Sequence, residues 1–495
     1  MTWSERLSSL DATFLYLEDR TAHMHVGSVA VFEGAPPPYE RVYDLINARL
    51  PLVPRYRQRL AAVPFDVGRA VWVDDADFDL SFHLRHAALP RPGGPGELNK
   101  LAGQLFSQRL DRAKPLWEMW LIEGFEENKF ALLAKTHHCM IDGISGMDIA
   151  SVLLDHTPTP SSSASSASSA SSASSASSAS PAASEAPPRP EPWVPRPAPS
   201  RAALLGEALR DQVRRPLSLA SQAFEPATEG RKFLLEVGAG LRPLLGLARM
   251  GQAPPSPINQ PIGPHRRWAM RSLDLATVKQ VRAALGGTVN DVLLAMVAGA
   301  LRRRLLARGD GLPAELRVMV PVSVRSAEAR GTLGNRVTAI FCPLPVGKAD
   351  PRARLADVSQ AMRGLKESKQ AVGALALTRL GEFAPPTLIA QAARLEVMHH
   401  FMNLVVTNVP GPQAPLYLLG QRMTACHPAV PLARNQTLSV ALLSYNGRVD
   451  LGLLADHDRF RDLESLADDF DASLAELVAL ASEGAEPSAA PPAEV

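Results

Sequence analysis

The sequence predicts an α/β protein built as two halves with a mobile connection between them. Apolar residues at strand spacing alternate with apolar residues at helix spacing, both before residue 157 and after residue 262. Between these regions the chain carries the run SSSASSASSASSASSASSAS from Ser161 to Ser180, then Pro-rich sequence to about Ser200. Apolar residues make up 46% of the 495-residue chain, which is enough for large hydrophobic cores.

The composition excludes several classes of protein. The formal charge of +2, from 52 Lys and Arg against 50 Asp and Glu, gives no argument for a nucleic-acid partner. Three cysteines, Cys139, Cys342 and Cys426, are too few for a disulfide scaffold and fit a reducing compartment. The start, MTWSERLSSL, lacks the apolar core of a secretory signal, and no run approaches the length of a membrane span. We therefore expect a cytoplasmic protein that at most associates peripherally with a membrane.

The N-terminal half, residues 1–156, alternates between strand and helix patterns. The predicted elements, in order, are a strand His25–Glu33, a helix Pro38–Leu50, an extended segment Ala70–Leu84, a helix Glu97–Leu110, strands Trp117–Phe125 and Lys129–Thr136, and a helix Ile144–Leu154. Glu126, Glu127 and Asn128 separate the last two strands, so we expect those strands to form a hairpin.

Residues 157–200 are expected to be a disordered linker, because Ser and Ala bury too little apolar area to offset chain entropy. Residues 201–262 are expected to form a helical connecting segment, with amphipathic helices over Arg201–Met250. The mixture of Leu, Phe and Arg in these helices suits either a membrane interface or packing between the halves. Residues 484–495 are expected to be a disordered tail.

The C-terminal half, residues 263–483, repeats the mixed pattern. The predicted elements are helices Leu275–Leu285 and Val289–Ala307, strands Leu316–Val324 and Val337–Val346, a helix Arg352–Lys369, strands Leu404–Val409, Leu438–Leu443 and Val449–Ala455, and a helix Leu463–Ser482. Asn446-Gly447 predicts a tight hairpin turn between the last two strands.

The strongest local signal is HHCMIDG, residues 137–143, directly after the apolar run FALLAKT. Adjacent strand residues point to opposite faces, so His137 and His138 are poorly placed to bind one zinc ion together. Two buried structural histidines are a second interpretation. In the third, one imidazole faces a cleft as a general base while its neighbour faces inward, Asp142 braces the loop through a cation, and Gly143 permits a tight turn.

The pattern HHxxxDG resembles the signature of the chloramphenicol-acetyltransferase-like superfamily of coenzyme-A-dependent acyltransferases. Other segments resemble one branch of it, the bacterial wax ester synthase/diacylglycerol acyltransferase family. Those segments are Leu7–Gly27 (LSSLDATFLYLEDRTAHMHVG), PLWE at 115–118, TVNDV at 288–292, PVSVR at 321–325, LGN at 333–335 and NVPGP at 408–412. Together they run from about residue 7 to 480 and skip the Ser/Ala-rich insert.

The resemblance implies two similar chloramphenicol-acetyltransferase-like halves with mixed sheets and an active-site tunnel between them. It implies that His138 is the proton acceptor and that His137, Asp142 and Gly143 support it. Acyl-CoA would be the donor substrate, with no further cofactor and no metal. Diacylglycerol or a long-chain alcohol would be the acceptor, met at the inner membrane face or a lipid-droplet surface, without nucleic acid.

The implied chemistry is simple. A thiolate is a good leaving group, so an alcohol can attack a thioester directly once a base removes its proton. No GxSxG nucleophile elbow is present in the sequence, as expected for direct attack. Asn290 is either an oxyanion or substrate contact, or simply a helix-start residue beside Asp291, which complements the helix dipole. Rival functions are a relative that takes its acyl group from a carrier protein, and an inactive lipid-binding droplet protein.

Overall fold

A computed structural model describes residues 5–140, 152–159, 193–211, 251–323, 337–367 and 401–483. The N-terminal half contains β1 (Glu5–Arg6), α1 (Ser9–Leu17), β2 (His25–Glu33), α2 (Tyr39–Arg49), β3 (Gln58–Ala61), β4 (Val71–Asp74), β5 (Leu84–Ala88), α3 (Pro95–Ser107), β6 (Trp117–Phe125) and β7 (Lys129–His137). The C-terminal half contains β8 (Arg266–Asp274), α4 (Leu275–Leu285), α5 (Val289–Arg308), β9 (Leu316–Ser323), β10 (Val337–Leu344), α6 (Pro351–Glu367), β11 (Leu404–Pro410), β12 (Tyr417–Leu418), β13 (Gln421–Ala429), β14 (Leu438–Tyr445), β15 (Arg448–Asp456) and α7 (Leu463–Glu483).

Two six-stranded mixed sheets form the centres of the two halves. Their strand orders are β12-β13-β2-β7-β6-β5 and β10-β9-β11-β14-β15-β8, and a third, small sheet has the order β1-β4-β3. A mixed α/β architecture with two halves is thus confirmed. The sheets are not wholly separate in sequence, because β13 from the C-terminal half pairs antiparallel with β2, with Cys426 opposite Ala30.

Most predicted elements are present with bounds shifted by one or two residues. The hairpin of β6 and β7 is confirmed, with Trp117 opposite Thr136. The turn between β14 and β15 is also confirmed, because Asn446 and Gly447 have φ values of 43° and 81°, as a primed hairpin turn requires. The predicted helix Ile144–Leu154 lies mostly outside the described residues.

The structure differs from several sequence expectations. Ala70–Leu84 is not one extended segment, because aspartates after β4 form turns; Asp79 accepts a hydrogen bond from the Ser81 amide at 2.9 Å. Residues 251–262 are irregular rather than helical, since four prolines in that stretch remove amide donors. Helix α1 and strands β1, β3, β8, β12 and β13 were not predicted at all.

Residues 193–211 pack on the small sheet of the N-terminal half. Arg196 holds Asp74 through its backbone amide at 3.0 Å and its guanidinium at 2.8 and 2.9 Å. Residues 201–211 are helical, and Leu204, 3% exposed, packs against Val71 and Val73. The predicted linker therefore does not extend to residue 200, because these charge and apolar contacts fix residues 193–200.

No single helix among the described residues is long and apolar enough to cross a membrane. Helices α4 and α5 have the length and hydropathy of a membrane span only when taken together, and they meet at an angle of 98°. Helix α5 is the central helix of the C-terminal core, with twelve buried residues. Its apolar character is accounted for by packing against α6 and α7 and the sheet.

Candidate active site

The histidine pair lies where β7 ends. The strand enters the core through Phe130, Ala131 and Leu133, all completely buried, so its last residue is held in register by the sheet. The backbone amide of His137 donates to the Leu116 carbonyl at 2.9 Å, and that of His138 donates to the Met24 carbonyl at 2.8 Å. Both histidines are thereby fixed through the backbone before any side-chain contact is considered.

The His137 side chain faces inward and is completely buried. Its Nδ1 accepts a hydrogen bond from the Cys139 amide at 3.1 Å, so the ring proton is on Nε2, which lies 3.1 Å from Glu18 Oε2. Burial lowers the pKa of His137, and the attraction of Glu18 only partly opposes this effect. His137 is therefore a neutral imidazole of one defined tautomer.

Glu18 is the anion that selects this tautomer, and its side chain is 1% exposed. Arg109 and Arg112 contact its Oε1 at 3.1 and 3.0 Å, and the Met24 amide donates to Oε2 at 3.3 Å. Burial alone would raise the pKa of Glu18, but His137 and the two guanidinium groups outweigh it and hold that pKa far below its usual range. The carboxylate is thus ionised at neutral pH.

The two arginines follow the C-terminal end of α3, which a buried lysine caps. Lys135 Nζ donates to the carbonyls of Leu105 and Gln108 at 3.1 and 2.9 Å and lies 3.3 Å from Glu118. Lysine near the last carbonyls of a helix complements the helix dipole. Lys135 is two residues before His137 on the same strand, so β7 itself helps to place the arginines that hold Glu18.

The His138 ring is half-buried and lies flat on the ring of Phe14 in α1. The ring centroids are 3.9 Å apart and the planes differ by 8°. Stacking of this kind fixes the plane of the imidazole. Asp142 and Gly143, the remaining predicted site residues of the motif, lie outside the described residues.

Asn290 is the second residue of α5. Thr288 caps this helix in a capping box with Asp291. The Asp291 amide donates to the Thr288 hydroxyl at 3.2 Å, and the Thr288 amide donates to the Asp291 carboxylate at 2.9 Å. Asn290 itself is half-buried, and its Oδ1 accepts a hydrogen bond from Asn408 Nδ2 at 3.3 Å. The helix-start role belongs to Thr288 and Asp291, while Asn290 presents a side-chain amide next to β11.

Sequence reasoning did not assign roles to Glu18 and Asn408. Both lie in segments that carry the family resemblance, residues 7–27 and 408–412, so a signal for their regions was present. The pairings themselves were out of reach, because Glu18 is 119 residues from His137 and Asn408 is 118 from Asn290. A single sequence gives no measure of such long-range contacts.

The three cysteine thiols and Trp117 are buried. Burial raises the pKa of the Cys342 and Cys426 thiols to about 12, and the pKa of Cys139 well above its usual value. Trp117 is 1% exposed and donates to the Tyr56 carbonyl at 2.8 Å, as expected for a core residue. Within the described ranges no three His, Cys, Asp or Glu side chains are arranged to hold a metal ion.

Two mixed sheets, a strand of the C-terminal half paired into the N-terminal sheet and a histidine pair at a strand end agree with the two-lobed chloramphenicol-acetyltransferase-like fold that the sequence resemblance implies. Residues 7–293 match the wax ester synthase/diacylglycerol acyltransferase catalytic domain, and residues 333–478 match the C-terminal domain of the same proteins. The chain belongs to the wax ester synthase/diacylglycerol acyltransferase family.

Curated relatives agree with this assignment. A putative diacylglycerol O-acyltransferase of Mycobacterium tuberculosis is 34% identical over 96% of this chain and 90% of its own length. A probable diacylglycerol O-acyltransferase of the same organism is 35% identical over 96% of both chains. The family and these relatives support acyl transfer as the activity.

Two solved structures show the same fold. The wax ester synthase/diacylglycerol acyltransferase of Marinobacter aquaeolei is 27% identical with a TM-score of 0.64, covering 97% of this chain and 100% of that chain. The starter condensation domain of rhizomide synthetase has a TM-score of 0.56 at 13% identity, covering 98% and 96% of the two chains. The second likeness concerns the fold alone.

Proposed function

We propose that this protein moves a long-chain acyl group from acyl-CoA to diacylglycerol, a long-chain alcohol, or both, with His138 as general base. The products would be triacylglycerol and wax ester. The observation that carries the proposal is the difference between the surroundings of the two histidine rings. His137 is neutral, buried and bonded at both ring nitrogens, whereas His138, one residue further, emerges half-buried on Phe14.

The proposed reaction needs no covalent enzyme intermediate. His138 takes the proton of the acceptor hydroxyl as its oxygen attacks the thioester carbonyl. The tetrahedral intermediate then collapses, the carbon–sulfur bond breaks, and the imidazolium returns the proton to the departing sulfur. A positioned base of this kind contributes about 10²–10⁴-fold to the rate.

We propose that Asn290 stabilises the oxyanion of that intermediate. Its Oδ1 accepts from Asn408, and this hydrogen bond fixes the orientation of the amide group. Neutral donors that are fixed in advance stabilise charge that develops only in the transition state. The capping box at Thr288 holds the backbone from which this amide projects.

The base is tested with His138→Ala and His137→Ala in an acyl-transfer assay with palmitoyl-CoA. We expect His138→Ala to lose at least 10²-fold in kcat at an unchanged melting temperature, because the base is lost and the fold is not. His137→Ala should lose both activity and stability, because it removes one partner of the buried Glu18 carboxylate. Wild-type rates in His138→Ala would reject the assignment.

The substrates are tested with an acceptor panel of hexadecanol, dioctanoylglycerol and short alcohols, each with palmitoyl-CoA. Activity on the first two supports the proposal. Transfer from an acyl carrier protein but not from palmitoyl-CoA would favour the carrier-dependent alternative. Lipid binding without transfer from either donor would favour the inactive droplet protein.

We further propose that the N-terminal half contacts the lipid surface that supplies the acceptor, from the cytoplasmic side of the membrane or on a lipid droplet. Of eight exposed large apolar side chains in the described residues, four lie within residues 1–156, three lie in the segment 193–211 that packs on this half, and one, Leu306, lies in the C-terminal half. The most exposed are Phe65 at 87% and Val194 at 77%, and Leu209 on helix 201–211 is 48% exposed. Exposed apolar side chains grouped on one part of a protein are typical of interaction surfaces.

Liposome flotation tests the surface. The triple variant Phe65→Ser/Val194→Ser/Leu209→Ser should float less than wild type, whereas Leu306→Ser, 54% exposed on the other half, should not differ. Leu204 on the same helix is not a suitable probe, because it is buried against β4. Equal flotation of the triple variant and Leu306→Ser would dismiss this surface.

A further inference from the structure

The loop from Glu18 to Met24, between α1 and β2, contacts both histidines of the motif. Glu18 bonds the His137 ring through Oε2 at 3.1 Å, and the Met24 carbonyl accepts from the His138 amide at 2.8 Å. This loop therefore helps to place both histidines, together with the sheet that holds β7. We call residues 18–24 the histidine-contact loop.

Asp19 gives the histidine-contact loop its shape. Its Oδ1 accepts from the amides of Thr21 and Ala22 at 2.7 and 2.8 Å, and its own amide donates to the Ala22 carbonyl at 3.0 Å. This is a local turn stabilised by an aspartate side chain. One carboxylate oxygen is enough for the turn.

The other oxygen of Asp19 is held by the C-terminal half. Arg434 Nε lies 2.6 Å from Asp19 Oδ2. Arg434 is in the connection between β13 and β14, and its carbonyl accepts from the Ile262 amide at 3.0 Å, so its backbone is anchored within that half. Arg266, buried at the start of β8, also donates to the Thr21 carbonyl.

We propose that Arg434 is a positioning residue, through which the C-terminal half sets the histidine-contact loop and thereby the histidine pair of the N-terminal half. This inference rests on the proposed function, because the proposed base is one of the two histidines. It goes further by assigning a role to a side chain of the opposite half that does not touch the histidines. The turn should survive the loss of Arg434, since Oδ1 alone makes it.

The experiment is a double-mutant cycle with Arg434→Gln, Asp19→Asn and the double variant, measured by kcat, KM for palmitoyl-CoA and melting temperature. Asp19→Asn keeps the Oδ1 acceptor of the turn and removes the charge that Arg434 contacts. Arg422→Gln is the matched control. Arg422 also joins the two halves, through Glu33 at 3.3 Å, but it lies on the far end of β13 and β2, away from His25 and His137.

We expect Arg434→Gln to lower kcat about tenfold with KM within twofold of wild type, because a small displacement of a base affects the chemical step. Asp19→Asn should do the same, the double variant should equal either single variant, and Arg434→Lys should recover most of the loss. Arg422→Gln should keep the wild-type kcat. The melting temperatures of Arg434→Gln and Arg422→Gln should be similar.

Several results would overturn the inference. These are equal kcat values in Arg434→Gln and Arg422→Gln, losses that multiply in the double variant, or unfolding of Arg434→Gln at the assay temperature, which would make the role purely structural. An inactive wild-type enzyme would instead contradict the proposed function. The two failures are therefore distinguishable.

Discussion

The two halves contribute to the site in opposite ways. The N-terminal half places His137 with an ion-pair network, in which the buried Glu18 carboxylate meets the more exposed Arg109 and Arg112, whereas the C-terminal half places Asn290 with a capped helix start and the amide of Asn408. An ion-pair network around a buried carboxylate becomes costly when the carboxylate is removed. A capped helix end tolerates the loss of a single hydrogen bond far better. The difference predicts which substitutions damage the fold and which damage only the chemistry.

The largest effect is expected for Glu18→Gln. Removing this carboxylate leaves the His137 proton without its anion, and because the two guanidinium groups are 41% and 42% exposed, the cost should stay below the about 3–5 kcal/mol of a fully buried ion pair. Urea unfolding should show that loss, and acyl transfer should fall with it. Glu33→Gln, which removes one partner of the exposed pair with Arg422, is the control and should be close to wild type. Similar stabilities of the two variants would remove the contrast between the halves.

Asn290→Ala should reduce activity without destabilising the protein. If the amide donates to the oxyanion, kcat should fall about 10²–10³-fold, as for the loss of one oxyanion donor elsewhere. The melting temperature should stay near that of wild type, because Asn290 is half-buried and the cap is intact. A wild-type kcat in Asn290→Ala would leave this amide without a catalytic role.

Stability should fall as the pH is lowered from 7.5 to 5.5. Burial lowers the pKa of each of five buried histidines, namely His23, His25, His83, His137 and His427. Below pH about 6.5 the unfolded chain therefore binds more protons than the folded one, and each histidine costs up to about 1.4 kcal/mol per pH unit until it protonates in the folded state. Above pH 6.5 the histidines are neutral in both the folded and the unfolded chain, so this cost is absent. Urea unfolding at pH 7.5, 6.5 and 5.5 measures it.

A variant without one of these histidines makes the pH prediction specific. His25→Gln should show a shallower loss of stability between pH 6.5 and 5.5 than wild type, by the share of one histidine. An unchanged slope in His25→Gln, or a stability that rises toward pH 5.5 in wild type, would contradict the linkage.

The smallest effect is expected for Thr288→Ala. It removes the cap of α5, which typically costs about 1 kcal/mol. Because α5 is otherwise held by its buried side chains, Asn290 should keep its place and kcat should change less than in Asn290→Ala. A larger loss of kcat in Thr288→Ala would show that the cap, and not the amide, governs this end of the site.

Sequence reasoning predicted the regular elements well, because strands such as Lys129–His137 and helices such as Val289–Arg308 have long apolar patterns. It failed where partners are distant in sequence. The stretch QRMTACHPA at 421–429 has no alternating apolar pattern that would predict a strand. It forms β13 because it pairs with the edge of β2. Likewise the motif pointed to His138, but the Glu18 cluster that sets the tautomer of His137 depends on the tertiary fold.

Because β13 of the C-terminal half pairs with β2 of the N-terminal half, neither half has a complete sheet on its own. A polypeptide that stopped within the Ser/Ala-rich insert would leave the outer edge of β2 as a row of unsatisfied amides and carbonyls, a common starting point for aggregation. The complementary fragment would carry β13 without its main partner β2, paired only with the two-residue strand β12. Neither piece is a self-sufficient module, so fragments expressed together should be recovered as one assembly, while each expressed alone should be poorly soluble.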